Sequence, residues 1–147
     1  MFPWESLAGG EDMQIEMTDR EFRRLLDLVY IGNWIINSAR GDDRIEDYDR
    51  LESKLFGECS RHGMNSLFEI MDGIVVPSAA FEQGGIHEAI MDYEDAIFFD
   101  MLAEELAARD MEAAGLDPDG DPEELHQRIE DYLDEFDANG LDNIIRK

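Results

Sequence analysis

The sequence predicts an all-α fold: a single compact domain of four to six helices around a buried central helix at about residues 19–39. Three observations favour it. Apolar residues recur at steps of three and four along most of the chain, helix-capping patterns flank those segments, and only residues 74–76 have the pattern of an extended strand. A length of 147 residues suits one domain. Residues 1–147 are therefore taken as one unit, with an N-terminal arm over 1–17 and a short C-terminal tail over 141–147.

The central helix is predicted to begin at Asp19. Thr18 and Glu21 form a capping-box pattern, in which each side chain accepts a hydrogen bond from the other residue's backbone amide. The helix should continue to about residue 39, because Gly41 provides a stop signal. Apolar residues occupy more than half of its circumference, which favours packing against several neighbours.

A second amphipathic helix is predicted over residues 44–61, followed by a short helix over residues 65–71. Asp72-Gly73 is a turn signal. The apolar run at 74–76 is stopped by Pro77, and no second strand of comparable quality is evident. No sheet is expected.

Two more helices follow. The first covers residues 86–114 and ends at Gly115. The second has Asp121 as its N-cap and Pro122 at its first position, and it should stop at Asn139-Gly140.

Charge is the strongest global feature. Asp and Glu number 37 against 12 Lys and Arg, which gives a net charge of −25, and 44% of residues are hydrophobic. That hydrophobic content argues against an acidic disordered chain, and the scarcity of cations argues against direct binding of nucleic acid.

The longest apolar window, residues 25–36, is too short to cross a bilayer, and anionic lipid would repel the surface, so no membrane attachment is expected. The absence of a secretory signal in residues 1–10 and the single cysteine, Cys59, favour a cytoplasmic location.

The sequence offers little support for a metal site or a catalytic site. Asp117–Asp121 begins like a calcium-binding loop, but Pro122 and Arg128 stand where glycine and glutamate are needed. Glu123 and His126 form one Glu-x-x-His element where a di-iron bundle needs two. We assign no metal ligand, no cofactor and no catalytic residue.

Three polar residues of the first helix form the candidate polar pocket: Tyr30, Asn33 and Asn37. Asn33 lies within an apolar stripe, and the other two lie beside Trp34. A buried amide must find hydrogen-bond partners. Two interpretations stay open: a structural network that fixes helix register, and a small polar pocket that binds an unidentified ligand.

The acidity itself has three explanations: solubility or habitat, complementarity to a basic protein, and mimicry of nucleic acid. The preferred hypothesis is a small acidic cytoplasmic interaction protein, not an enzyme, that binds a basic protein partner. The first alternative is a small helical enzyme or ligand-binding protein with a buried polar or metal site, and the second is a nucleic-acid mimic. A homodimer that shares the apolar first helix is also open.

Overall fold

The computed structural model describes residues 12–146, and their secondary structure is mainly helical. The helices of more than one turn are α1 (Asp19–Asn37), α2 (Glu46–Gly57), α4 (His87–Ala113) and α5 (Pro122–Asn139). Between α2 and α4 lie the antiparallel strands β1 (Phe68–Met71) and β2 (Ile74–Pro77) and the one-turn helix α3 (Ala79–Phe81). The expected mainly helical fold is confirmed, whereas the small sheet was not expected.

The chain divides into two compact units, Met1–Ile86 and His87–Lys147. The single-domain organisation stays a prediction. The predicted arm at 1–17 falls mostly on residues 1–11, which lie outside the described residues, and residues 12–17 contain no helix or strand. Residues 141–146 of the predicted tail form a turn and then irregular backbone. Among the described residues, no helix is both long enough and apolar enough to cross a membrane.

The start of α1 confirms the capping box. The Thr18 hydroxyl accepts from the Glu21 amide at 3.2 Å, and the Glu21 carboxylate accepts from the Thr18 amide at 2.8 Å. The helix ends at Asn37, two residues before the expected end. Leu28 and Ile35 are 68% and 60% exposed, so one side of α1 is open to solvent. The predicted packing of neighbours all around a central helix is not confirmed.

The helix expected over residues 65–71 is wrong. Only residues 65–67 form a helical turn, of the 3-10 type, and residues 68–71 are strand β1. Asp72 and Gly73 both have positive φ, 51° and 79°, the pattern of a type I′ turn. This turn pairs Met71 with Ile74, so the backbone groups that face each other bond across the ladder instead of along a helix.

Phe81 is the centre of the first unit's core. Its ring is 1% exposed, packs edge-on against Phe56 at 4.9 Å and contacts Tyr30 at 5.3 Å. The guanidinium of Arg23 covers the same ring at 4.8 Å. Cys59 is fully buried, and burial raises its pKa. Phe81 thus ties α3 to α1 and α2.

The second unit is a helical hairpin. α4 runs over 27 residues without a break, and Asp121 caps α5 by accepting from the Glu124 amide at 3.1 Å, as predicted. The rings of Phe99 and Phe136 are 5.2 Å apart, and Tyr132 donates a hydrogen bond to Asp110. These contacts join α4 to α5 along one side of α4.

Candidate functional site

Asn37 lies at the closed end of the candidate site and is fully buried. Its amide nitrogen donates to Asn33 Oδ1 at 2.7 Å and to the Ile45 carbonyl at 3.1 Å. Its amide oxygen accepts from the Ile45 backbone amide at 2.8 Å. The Ile45 amide thus has the Asn37 side chain as its partner, and the Ile45 carbonyl accepts from Asn37 as well as from the Tyr48 amide at 3.3 Å. Asn37 holds the connection between α1 and α2 and has a structural role.

Asn33 lies one turn earlier on the same face of α1 and points its amide toward α2. The nitrogen donates to Asp49 Oδ1 at 3.0 Å and to Glu52 Oε2 at 3.1 Å. One neutral amide therefore bridges two carboxylates, while its oxygen is held by Asn37. Tyr30, another turn back, donates its hydroxyl proton to Glu82 at 3.4 Å.

These polar groups border an open cleft of about 640 Å³ in the first unit. Its walls come from α1, α2, the β-hairpin and the α3 region, and the hairpin is fixed to α2 because Ser53 donates its hydroxyl to the Val75 carbonyl at 2.7 Å. The ionisable lining residues are Arg44, Asp49, Glu52, Glu69 and Glu82, and the aromatic ones are Tyr30 and Trp34. The cleft is therefore acidic, and two aromatic side chains belong to its lining.

The one guanidinium of the lining is already engaged. Arg44 makes two short contacts with Asp49, from Nε to Oδ2 at 2.6 Å and from Nη2 to Oδ1 at 2.7 Å. This pairing holds the pKa of Asp49 below its usual range. Among residues 12–146, Glu52, Glu69 and Glu82 have no ion-pair partner. The described lining thus carries uncompensated negative charge.

Glu52 lies in surroundings that disfavour its ionised form. It is half-buried, and burial raises its pKa, with Asp49 and Glu82 adding repulsion. The Asn33 hydrogen bond and Arg44 offset part of this effect. Burial, followed by the nearby Glu82, also raises the pKa of Tyr30. Burial is the largest cause of both shifts, and repulsion from neighbouring carboxylates adds to it.

The arrangement suits ionic and cation–π recognition better than nucleophilic chemistry. Aromatic faces and carboxylates together bind ammonium and guanidinium groups. The described lining contains no cysteine or histidine, and its serines, Ser38 and Ser53, have no histidine or lysine base beside them in the lining. In residues 12–146 no cluster of three or more His, Cys, Asp or Glu side chains has a geometry suited to a metal ion.

The structure brings two of the three predicted site residues into the cleft. Tyr30 and Asn33 line it, whereas Asn37 supports Asn33 from below. Sequence reasoning missed Arg44, Glu52 and Glu82. Their charges are of the kind found on any exposed helix, so only knowledge of the tertiary contacts with Tyr30 and Asn33 could have separated them from other acids.

Comparisons with protein-family models, curated proteins and solved structures gave no match for this chain.

Proposed function

We propose that the protein is a cytoplasmic, non-enzymatic interaction protein that binds a basic protein partner, and that the cleft receives an arginine or lysine side chain of that partner. The observation that supports this most directly is the combination of Glu52 and Glu82, which lack ion-pair partners among the described residues, with Tyr30 and Trp34 in one cleft. A guanidinium or ammonium group would neutralise these carboxylates beside the two aromatic side chains.

The net charge of −25 adds a long-range component to this recognition. An acidic protein attracts a basic partner from a distance, which speeds encounter and selects against acidic competitors. The cleft then provides short-range contacts that depend on geometry. The proposal therefore predicts two separable effects: a general dependence on salt and a local dependence on the cleft carboxylates.

A free cationic metabolite would offer the same chemistry as an arginine side chain, and the cleft volume could hold a small molecule. The ligand-binding alternative is supported by that volume alone. If the cation belongs to a protein, that basic protein should be recovered from lysate, and the cleft variants should abolish its binding. These two sources are distinguished by the experiments below.

The first experiment is an NMR titration with N-acetyl-arginine-amide as the probe and N-acetyl-citrulline-amide as its neutral, nearly isosteric control. We expect the arginine probe to shift amide signals of Asn33, Glu52 and their neighbours, and the citrulline probe to leave them unchanged. Glu52→Gln should weaken binding about fivefold, the equivalent of about 1 kcal/mol for a partly exposed ion pair. Equal binding of both probes, or shifts confined to other surfaces, would overturn the cleft assignment.

The second experiment captures partners from native lysate with the full chain at about 0.05 M and about 0.5 M salt, which differ severalfold in screening. A double variant, Glu52→Gln with Glu82→Gln, is compared with Glu130→Gln and Asp134→Asn. The control changes net charge equally on the exposed surface of α5. We expect one basic protein that is retained by the control, lost by the cleft variant and released at high salt. Equal loss from both variants would refute a role for the cleft, and recovery of no basic protein with a positive arginine titration would favour a free cationic ligand.

A further inference from the structure

One face of α4 exposes three large apolar side chains. Met91, Phe98 and Met101 are 55%, 46% and 58% exposed. Met91 lies seven residues before Phe98 and Met101 lies three after it, so at 100° per residue all three fall within a sector of about 80°. We call these three side chains the α4 outer face.

The α4 outer face points away from α5. Ala107 is fully buried and follows Phe98 by nine residues, which is 2.5 turns, so the two side chains leave α4 in opposite directions. Ala103 is also fully buried on the inner side, where Phe99 meets Phe136. The helix is thus apolar on two sides, and α5 covers one of them.

Carboxylates are interleaved with these apolar side chains. Glu94 lies between Met91 and Phe98 on the same sector, Glu105 follows Met101 by one turn, and Asp95 borders the sector. Within residues 12–146 none of these three acids has an ion-pair or hydrogen-bond partner. From residue 87 to residue 108 the sequence contains no Lys or Arg.

This charge pattern decides between occupants. A second copy of α4 would bring Glu94, Asp95 and Glu105 close to the same acids with no cation to compensate, and that arrangement is repulsive. A helix with an apolar stripe flanked by Lys and Arg would bury Met91, Phe98 and Met101 and neutralise the interleaved acids. Methionine side chains adapt to different apolar partners, which suits such a surface.

We propose that the α4 outer face docks a basic amphipathic helix of a protein partner. The distance from Met91 to Met101 along α4 is about 15 Å, which matches about three turns of a partner helix. This inference rests on the proposed function only in that the partner is basic. The α4 outer face shares no residue with the cleft, so the α4 proposal and the cleft proposal can fail separately.

The probe is an 18-residue fluorescent peptide with leucine at helical spacing and lysine elsewhere. A scrambled peptide of identical composition keeps the charge but loses the stripe. At near-physiological salt we expect the amphipathic peptide to bind at least about tenfold more tightly than the scrambled one, because only the former can cover the apolar face. Equal affinities would overturn the proposal, since they would show attraction by charge alone.

Variants of the protein locate the surface. The double variant Met91→Gln with Met101→Gln keeps side-chain length and helix propensity and should weaken peptide binding about tenfold. Tyr93→Gln is the matched control: Tyr93 is 59% exposed on α4 but lies about 140° from Phe98. We expect its affinity to change less than about twofold. An equal loss in Tyr93→Gln would refute the assignment to this face.

Two further measurements separate the remaining outcomes. The cleft variant Glu52→Gln should bind the peptide like the unmodified protein, whatever the arginine titration shows. Sedimentation at about 100 μM should give a monomer, because apposed acidic faces repel. A dimer that the methionine double variant abolishes would assign the α4 outer face to self-association and overturn the basic-helix proposal.

Discussion

Asn37→Ala gives the sharpest test of how the first unit is held together. The substitution removes all three hydrogen bonds that this fully buried amide makes: two donated, to Asn33 and to the Ile45 carbonyl, and one accepted from the Ile45 amide. No other side chain among the described residues hydrogen-bonds to the Ile45 backbone. The Ile45 backbone should therefore lose its side-chain attachment to α1.

The magnitude follows from the number of bonds. A hydrogen bond contributes about 1 kcal/mol net, so three give about 3 kcal/mol. Ile45 is half-buried, so water can partly replace the lost partners. The small cavity left by the amide acts in the opposite direction. We therefore expect Asn37→Ala to lower the free energy of unfolding by about 2–4 kcal/mol.

Urea denaturation followed by circular dichroism measures this loss. Ile35→Ala is the control on the same helix, because Ile35 is 60% exposed, and it should cost less than about 1 kcal/mol. Asn37→Asp tests the same hydrogen bonds through the pH dependence of stability. An ionised carboxylate would face Asn33 Oδ1 and the Ile45 carbonyl, so its destabilisation should shrink as pH falls and the new carboxyl protonates. A loss below about 1 kcal/mol for Asn37→Ala would refute the structural role of this amide.

Three other predictions concern the core, the cleft and the net charge. Phe81→Ala should cost about 3–5 kcal/mol in urea denaturation, because the ring is buried against Phe56 and Tyr30; a loss near 1 kcal/mol would place the core elsewhere. Glu52 binds its proton more tightly in the folded than in the unfolded chain, so its ionisation lowers stability as pH rises through and above the ordinary glutamate range. The stability of Glu52→Gln relative to the unmodified protein should therefore increase from about pH 4 to pH 7, and a constant difference would contradict the raised pKa. Because 25 net negative charges repel one another, raising salt from about 0.02 M to 0.2 M should raise Tm; an unchanged Tm would argue against that repulsion.

The helix boundaries could be predicted because their signals are local. Thr18 and Glu21 are three residues apart and satisfy each other's amides in any context that allows a helix to follow. Asp121 and Pro122 act in the same way at α5. Such contacts need no tertiary partner, so the sequence contains all the information that fixes them.

The hairpin was missed although a local signal was present. Asp72-Gly73 suits a type I′ turn, and apolar residues flank it on both sides, which is a strong hairpin pattern. Two strands alone are marginal in water. Here the pair is held by a hydrogen bond from Ser53 of α2, and by Ser78, whose hydroxyl donates to the Ser66 carbonyl at 2.6 Å. That tertiary support could not be read from the apolar periodicity of residues 65–71.

The cleft was predictable in its polar centre and unpredictable in its charged rim. Asn33 interrupts an apolar stripe, so its burial and its need for partners follow from helical spacing. Those partners, Asp49 and Glu52, lie 16 and 19 residues away on another helix. In a chain with 37 acids, spacing alone gives no reason to choose these two. Asn37 belongs to a structural network, whereas Asn33 belongs to that network and also lines the cleft.

The distribution of charge bears on why the chain is so acidic. Residues 87–147 contain 20 Asp and Glu against 4 Lys and Arg, a net −16, whereas residues 1–86 contain 17 against 8, a net −9. A surface charge kept only for solubility should spread roughly with length and would give the second stretch about −10. The excess lies on the helical hairpin that also exposes Met91, Phe98 and Met101 among its acids. Solubility gives no reason to expose apolar side chains on that hairpin, whereas recognition of a basic amphipathic partner uses both features together. Under our proposal that the protein binds a basic partner, this excess lies beside the apolar side chains that such a partner would cover.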